Sequence, residues 1–105
     1  MDTLSRLEQT IADRIAAGDA GSSYVAQLHA RGVGVIARKF GEEAVETVVA
    51  ALSGSAEDLT GEAADVLFHL LVLLGAKGVP LAEVLAELER REGVSGIDEK
   101  ASRSS

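Results

Sequence analysis

A chain of 105 residues, 47% apolar and 26% charged with a single proline, has the length of one small domain and leaves no room for a multidomain enzyme. Seventeen acidic residues against ten Lys and Arg give a formal charge of -7, which repels phosphate backbones and anionic lipid and disfavours nucleic-acid and membrane-surface roles. The absence of cysteine excludes disulfides, thiolate zinc sites and cysteine nucleophiles, and suits a reducing cytoplasm.

From the N-terminus, Met1 to Ala17 is charged and amphipathic rather than a secretory leader. Leu4, Leu7, Ile11 and Ile15 recur at helical spacing from Asp2 to Ala17, with Asp2 or Thr3 as cap and Gly18 as stop. A loop of turn-formers follows, and Ser22 or Ser23 caps a short helix to about Arg31 before Gly32 and Gly34 loosen the chain. A third helix runs from Val35 to Leu52 and closes at Ser53-Gly54. Ser55-Ala-Glu-Asp58 reads as a capping box opening a fourth helix to about Ala76, which stops at Lys77-Gly78. Pro80 opens a last helix to about Arg91, with Leu81, Val84, Leu85 and Leu88 as its inner stripe. The domain is expected over residues 1–92, with 93–105 as a flexible polar tail. No segment alternates as a half-buried strand does, so the fold class is all-α. The longest oily stretch, Val66 to Ala76, is interrupted by His69 and falls short of the roughly 20 residues a bilayer requires. A soluble protein is expected.

The acidic residues of the two central helices are not scattered. Lys39, Glu42, Glu43 and Glu46 fall within one sector of about 100° on the third helix. On the fourth, Asp58, Glu62, Asp65 and His69 form one polar stripe among Leu, Val and Phe. Consecutive helices joined by a short turn pack antiparallel, so the two stripes can face each other and bring five of these six carboxylates together. Acidic residues at helical spacing usually form a solvated face; the apolar flanks on both sides of each stripe argue for a partly dry site. Like charges there raise one another's pKa and call for a countercharge. An all-oxygen set suits a hard divalent cation, Mg²⁺ first and Mn²⁺ second. The near all-round hydrophobicity of both helices predicts burial on several sides, and a chain this small has too few other helices to supply it, which points to a homodimer.

Gly41-Glu-Glu-Ala-Val-Glu46 followed after fifteen residues by Glu62-Ala-Ala-Asp65 resembles the paired ExxE and ExxD motifs of the MazG-like all-α nucleotide pyrophosphohydrolases. With Ser23-Tyr24, Lys39-Phe-Gly-Glu-Glu-Ala-Val-Glu-Thr47, the run Gly61 to Leu74 and Leu88-Glu-Arg-Arg91, the chain is most similar to the phosphoribosyl-ATP pyrophosphohydrolase family over about residues 1–92. That resemblance implies Mg²⁺-dependent hydrolysis of the α–β phosphoanhydride of phosphoribosyl-ATP to phosphoribosyl-AMP and pyrophosphate, in a dimer of helical hairpins. It assigns Glu43, Glu46, Glu62 and Asp65 to the metal, and Glu42 to orienting or deprotonating the attacking water, with the choice of base among the glutamates left open. Lys39 and Arg38 are assigned to phosphate oxygens. The chain departs from many relatives where Gly34-Val35 replaces Asp-Lys, removing a basic group near the substrate, and where Phe68 and Glu92 replace Tyr and His.

Tyr24 can stack on a base or bond a phosphate, against the plainer role of packing at a helix start. His69, one turn beyond Asp65, can support a ligating carboxylate or serve as a core histidine, and is left outside the metal set. His29 reads as surface, and Arg90 and Arg91 as complements of a helix dipole. Two other functions fit the residues: a MazG-like enzyme acting on other nucleoside triphosphates, and a non-catalytic helical assembly module. A di-iron bundle is set aside because its Glu-x-x-His motif is missing.

Overall fold

Helix starts fall where short side chains can satisfy the free N–H groups of a first turn. In a computed structural model describing residues 2–93 and Lys100, the described chain forms five helices and no strand. They are α1 (Thr3–Ala17), α2 (Tyr24–Arg31), α3 (Val33–Ser53), α4 (Ala56–Ala76) and α5 (Leu81–Arg91). Asp2 accepts from the Ser5 N–H at 2.8 Å, and Ser23 from the Ala26 N–H at 3.1 Å. At α4 the predicted capping box is complete, with Asp58 N–H on Ser55 Oγ at 3.1 Å and Ser55 N–H on Asp58 Oδ2 at 3.0 Å. The tail expected over 93–105 lies, Gly93 and Lys100 apart, outside the described residues.

The third helix starts at Val33, earlier than its hydrophobic pattern indicates, with Gly34 inside its first turn. Gly32 makes the break alone: at φ 97° it reverses the chain, and its carbonyl accepts the Ile36 N–H at 3.2 Å.

Ile11, Leu28, Ile36 and Val72 are fully buried and gather Val25, Leu71 and Leu81 into one core. That core binds α1, α2, the start of α3 and the C-terminal half of α4. Glu8 ties in α5, its Oε2 accepting the Leu81 N–H at 2.7 Å. The outer half of the α3–α4 hairpin projects from this base. The radius of gyration is 15.8 Å, against about 13 Å for a compact chain near this length.

As expected of a chain with too few helices to cover it, α3 is left open on one side: Ile36 and Ala50 are its buried residues, while Val45, Val48, Val49 and Leu52 are 55–83% exposed. They form an apolar stripe with nothing among the described residues over it, because the other helices gather at the opposite end. Two expectations are corrected. On α5 only Leu81 of the expected stripe is buried, and Leu88 is 54% exposed. Finally, α4 at 21 residues is long and apolar enough to cross a membrane by length and composition, so the length argument against a span fails. Its packing against α3, α1 and α2 is that of the central helix of a bundle.

Candidate active site

The turn between α3 and α4 sets the level of everything carried on the hairpin. Gly54 donates its N–H to the Ala50 carbonyl at 2.9 Å, and a Cβ on Gly54 would stand 2.9 Å from that same oxygen. A side chain there would force the turn open. Glu46 and Glu62 each lie eight residues from Gly54, and Glu43 and Asp65 each lie eleven. In an antiparallel pair, residues at equal count from the turn stand at the same height.

One carboxylate oxygen from each of Glu43, Glu62 and Asp65 falls within 4.8 Å of the other two. Glu46 is not within that trio but touches Glu62. Glu43 Oε2 and Glu62 Oε2 are shut from solvent and accept no hydrogen bond, whereas Asp65 is exposed. Burial pushes the Glu62 carboxyl above its ordinary range; the charge of Glu46 and contacts with Glu46 and Glu43 push it further. Buried carboxylate oxygens without a donor are costly, and a cation between them removes the cost. The set is oxygen only, which fits a hard divalent ion.

A cleft of about 700 Å³ opens beside the acids, with Glu46, Glu62 and Asp65 on its wall together with Glu57 and Asp58. Asp58 spends its carboxylate on the cap of α4. Five carboxylates were expected to converge; the fifth, Glu42, instead turns toward two cations of its own helix. Its oxygens lie 3.7 Å from Arg38 Nε and 3.7 Å from Lys39 Nζ, in a half-exposed triad. Gly34, where the resemblance implies that many relatives carry a different residue, is exposed, and Val35 beside it packs on the core.

Tyr24 lies at the start of α2, where its hydroxyl meets His69 Nε2 at 3.2 Å. His69 is buried and its Nδ1 is 2.8 Å from the Asp65 carbonyl, so it bonds the backbone of an acid rather than a carboxylate. The sequence reading left this pair unlinked; the only available signal was the position of His69 on the stripe of Asp65. His29 is exposed as expected. Arg90 and Arg91 bind the carboxylate of Glu87 and hold it down to about 2.

The profile of the phosphoribosyl-ATP pyrophosphohydrolase family matches residues 4–92. Curated relatives carrying the name phosphoribosyl-ATP pyrophosphatase align over nearly the whole chain. That of Erythrobacter litoralis is 65% identical over 103 residues, covering 98% of both chains. That of Novosphingobium aromaticivorans is 64% identical, covering 98% of this chain and 95% of its own. The Dinoroseobacter shibae protein is 62% identical, covering 98% of this chain and all of its own. With its acidic hairpin and a family match spanning all five helices, this chain belongs to the phosphoribosyl-ATP pyrophosphohydrolase family.

Proposed function

We propose that this chain hydrolyses the α–β phosphoanhydride of phosphoribosyl-ATP, giving phosphoribosyl-AMP and pyrophosphate in the second step of histidine biosynthesis, with Mg²⁺ as cofactor and Mn²⁺ as a substitute. The observation that carries the reading is the trio Glu43, Glu62 and Asp65, with two buried oxygens lacking a donor, beside a cleft of nucleotide size in a member of this family.

In this reading Glu43, Glu46, Glu62 and Asp65 hold the cation. When bound it withdraws charge from phosphate oxygens and lowers the pKa of water. Glu42 orients or deprotonates the attacking water from its place one residue before Glu43. Lys39 and Arg38 meet the phosphates, exchanging their long contacts with Glu42 for a more highly charged partner. Tyr24 presents a half-exposed ring to the base.

A second copy of the chain covers the stripe Val45, Val48, Val49 and Leu52, whose spacing is that of one face of a helix. Exposed valines and leucine in continuous array favour such a homodimer over a solvated surface. The working unit is residues 1–92, acting in the cytoplasm, on a small nucleotide and without nucleic acid or membrane.

The test is turnover of phosphoribosyl-ATP by purified protein with Mg²⁺, beside Glu46→Gln and Asp65→Asn. Activity in the wild type and its loss in both variants is the expected result. Undiminished turnover in both variants removes the mechanism. Preference for ordinary nucleoside triphosphates reassigns the substrate, and no turnover of any nucleotide returns the chain to an assembly role.

A further inference from the structure

Among the described residues only Ser23 and His69 are buried polar side chains, and both secure Tyr24. Ser23 caps α2 through the Ala26 N–H and so fixes the backbone on which Tyr24 stands. His69 holds the far end of the ring. Its Nδ1 faces the Asp65 carbonyl, which can only accept, so Nδ1 carries the hydrogen in that bond. With the imidazole neutral, Nε2 is left to accept and the Tyr24 hydroxyl donates to it. Phe68 supports one face of the ring, at 6.1 Å between centroids and 19° between planes. Tyr24 is nevertheless 46% exposed. An open aromatic face secured at backbone, hydroxyl and underside is a prepared surface, since a loose tyrosine would pay rotamer entropy on every binding event.

We infer that His69 is a positioning residue: it locks the Tyr24 ring against Phe68 so that the free face receives the purine of the nucleotide. The placement suits that role. His69 is bonded to the backbone of Asp65, one helical turn or about 6 Å along α4, so the tyrosine platform on α2 and the phosphate end are anchored to the same helix. Carboxylates of the trio attend to the phosphate end, and His69 serves the base end without touching substrate. This inference rests on the reading of Tyr24 given above, and it adds a residue and a cause for the orientation of the ring.

The experiment is steady-state kinetics on phosphoribosyl-ATP with saturating Mg²⁺ for Tyr24→Leu, Tyr24→Phe, His69→Gln and the doubles combining His69→Gln with each tyrosine variant. Tyr24→Leu removes a stacking surface, and KM should rise on the order of tenfold. Tyr24→Phe deletes the hydroxyl and His69→Gln replaces the rigid imidazole acceptor with a flexible amide, so each should loosen the ring and raise KM roughly 2- to 10-fold, with the loss falling on KM rather than kcat. Their double should be no worse than the worse single, and His69→Gln should add nothing in the Tyr24→Leu background. A histidine that only fills the core would change melting temperature without that coupling. If His69→Gln raises KM equally with and without Tyr24, or lowers kcat at constant KM, the positioning role is overturned. A normal KM in His69→Gln with a raised KM in Tyr24→Leu overturns it too, while leaving Tyr24 as the base contact. An unchanged KM in Tyr24→Leu refutes both. Should His69→Gln fail to fold, Tyr24→Phe decides alone, because it removes only the oxygen that His69 engages.

Discussion

Glu62→Gln should change the sign of its effect on stability when Mg²⁺ is added. The Glu62 carboxyl is held above its ordinary value of 4.5 by burial, then by Glu46 and Glu43. A carboxyl raised in the folded state favours folding fully below the unfolded value, and that contribution is lost as pH rises through the folded one. At pH 8 without metal the wild type therefore carries an unfavourable carboxylate, and the neutral glutamine should melt higher. Metal reverses the order. With Mg²⁺ at a hundredfold its dissociation constant the wild type gains about 2.7 kcal/mol. Losing an outer-shell partner weakens metal binding roughly 10- to 100-fold, and losing one of the clustered carboxylates should cost at least that. A hundredfold loss leaves about 0.4 kcal/mol of linked stabilisation at the same Mg²⁺ concentration. For a domain near 100 residues, at about 4–8 °C per kcal/mol, the wild type should gain roughly 10–20 °C and the variant only about 2–3 °C. Scanning calorimetry at pH 8 and fixed protein concentration, with and without Mg²⁺, reads both arms. A metal-free variant that melts below the wild type, or equal gains on adding Mg²⁺, would refute the reasoning.

Val48→Asp places a charge in the exposed stripe of α3 and should convert a dimer to a monomer by light scattering; a wild type already monomeric at micromolar concentration contradicts the homodimer. Glu8→Ala removes the acceptor of the Leu81 N–H and should lower stability by about 1–3 kcal/mol in urea titrations, whereas an unchanged midpoint means the bond is not formed in solution. Glu87 is held at about 2 by Arg90 and Arg91, so its contribution is complete above 4.5 and lost as pH falls toward 2. The melting temperatures of wild type and Glu87→Gln should accordingly differ above pH 4.5 and converge near pH 2; a difference that does not shrink points elsewhere. Ile36→Ala empties a fully buried position and should cost about 2–5 kcal/mol, against little for Val33→Ala on the exposed first turn, as denaturant midpoints will report.

What could be read in advance was local. Asp2, Ser23 and the Ser55–Asp58 pair act within three residues along the chain, so their caps were visible as sequence. Periodicity likewise placed Glu43, Glu62 and Asp65 on facing stripes, because a short turn leaves two helices little choice but to run back along each other. Periodicity also put Glu42 in the same sector, but the sector is wide and its edge faces Arg38 and Lys39. The contacts that escaped are long-range: Tyr24 and His69 are 45 residues apart, and Glu8 and Leu81 are 73 apart. No propensity encodes such a meeting. Leu85 and Leu88 fit an inner stripe by spacing, yet both stay exposed, because none of the described residues packs over that side of α5.

The bend at Gly54 makes the acidic centre a matter of arithmetic. Fifteen residues separate Glu46 from Glu62, balanced about the bend. Adding or deleting one of them would swing the acids of one arm by about 100° and slide them about 1.5 Å along it. Mutational drift can therefore rewrite the exposed letters of that segment away from Gly54, the Ser55–Asp58 cap and the valine stripe, provided it never alters their number, and indels here should be lethal to activity even where the protein still folds.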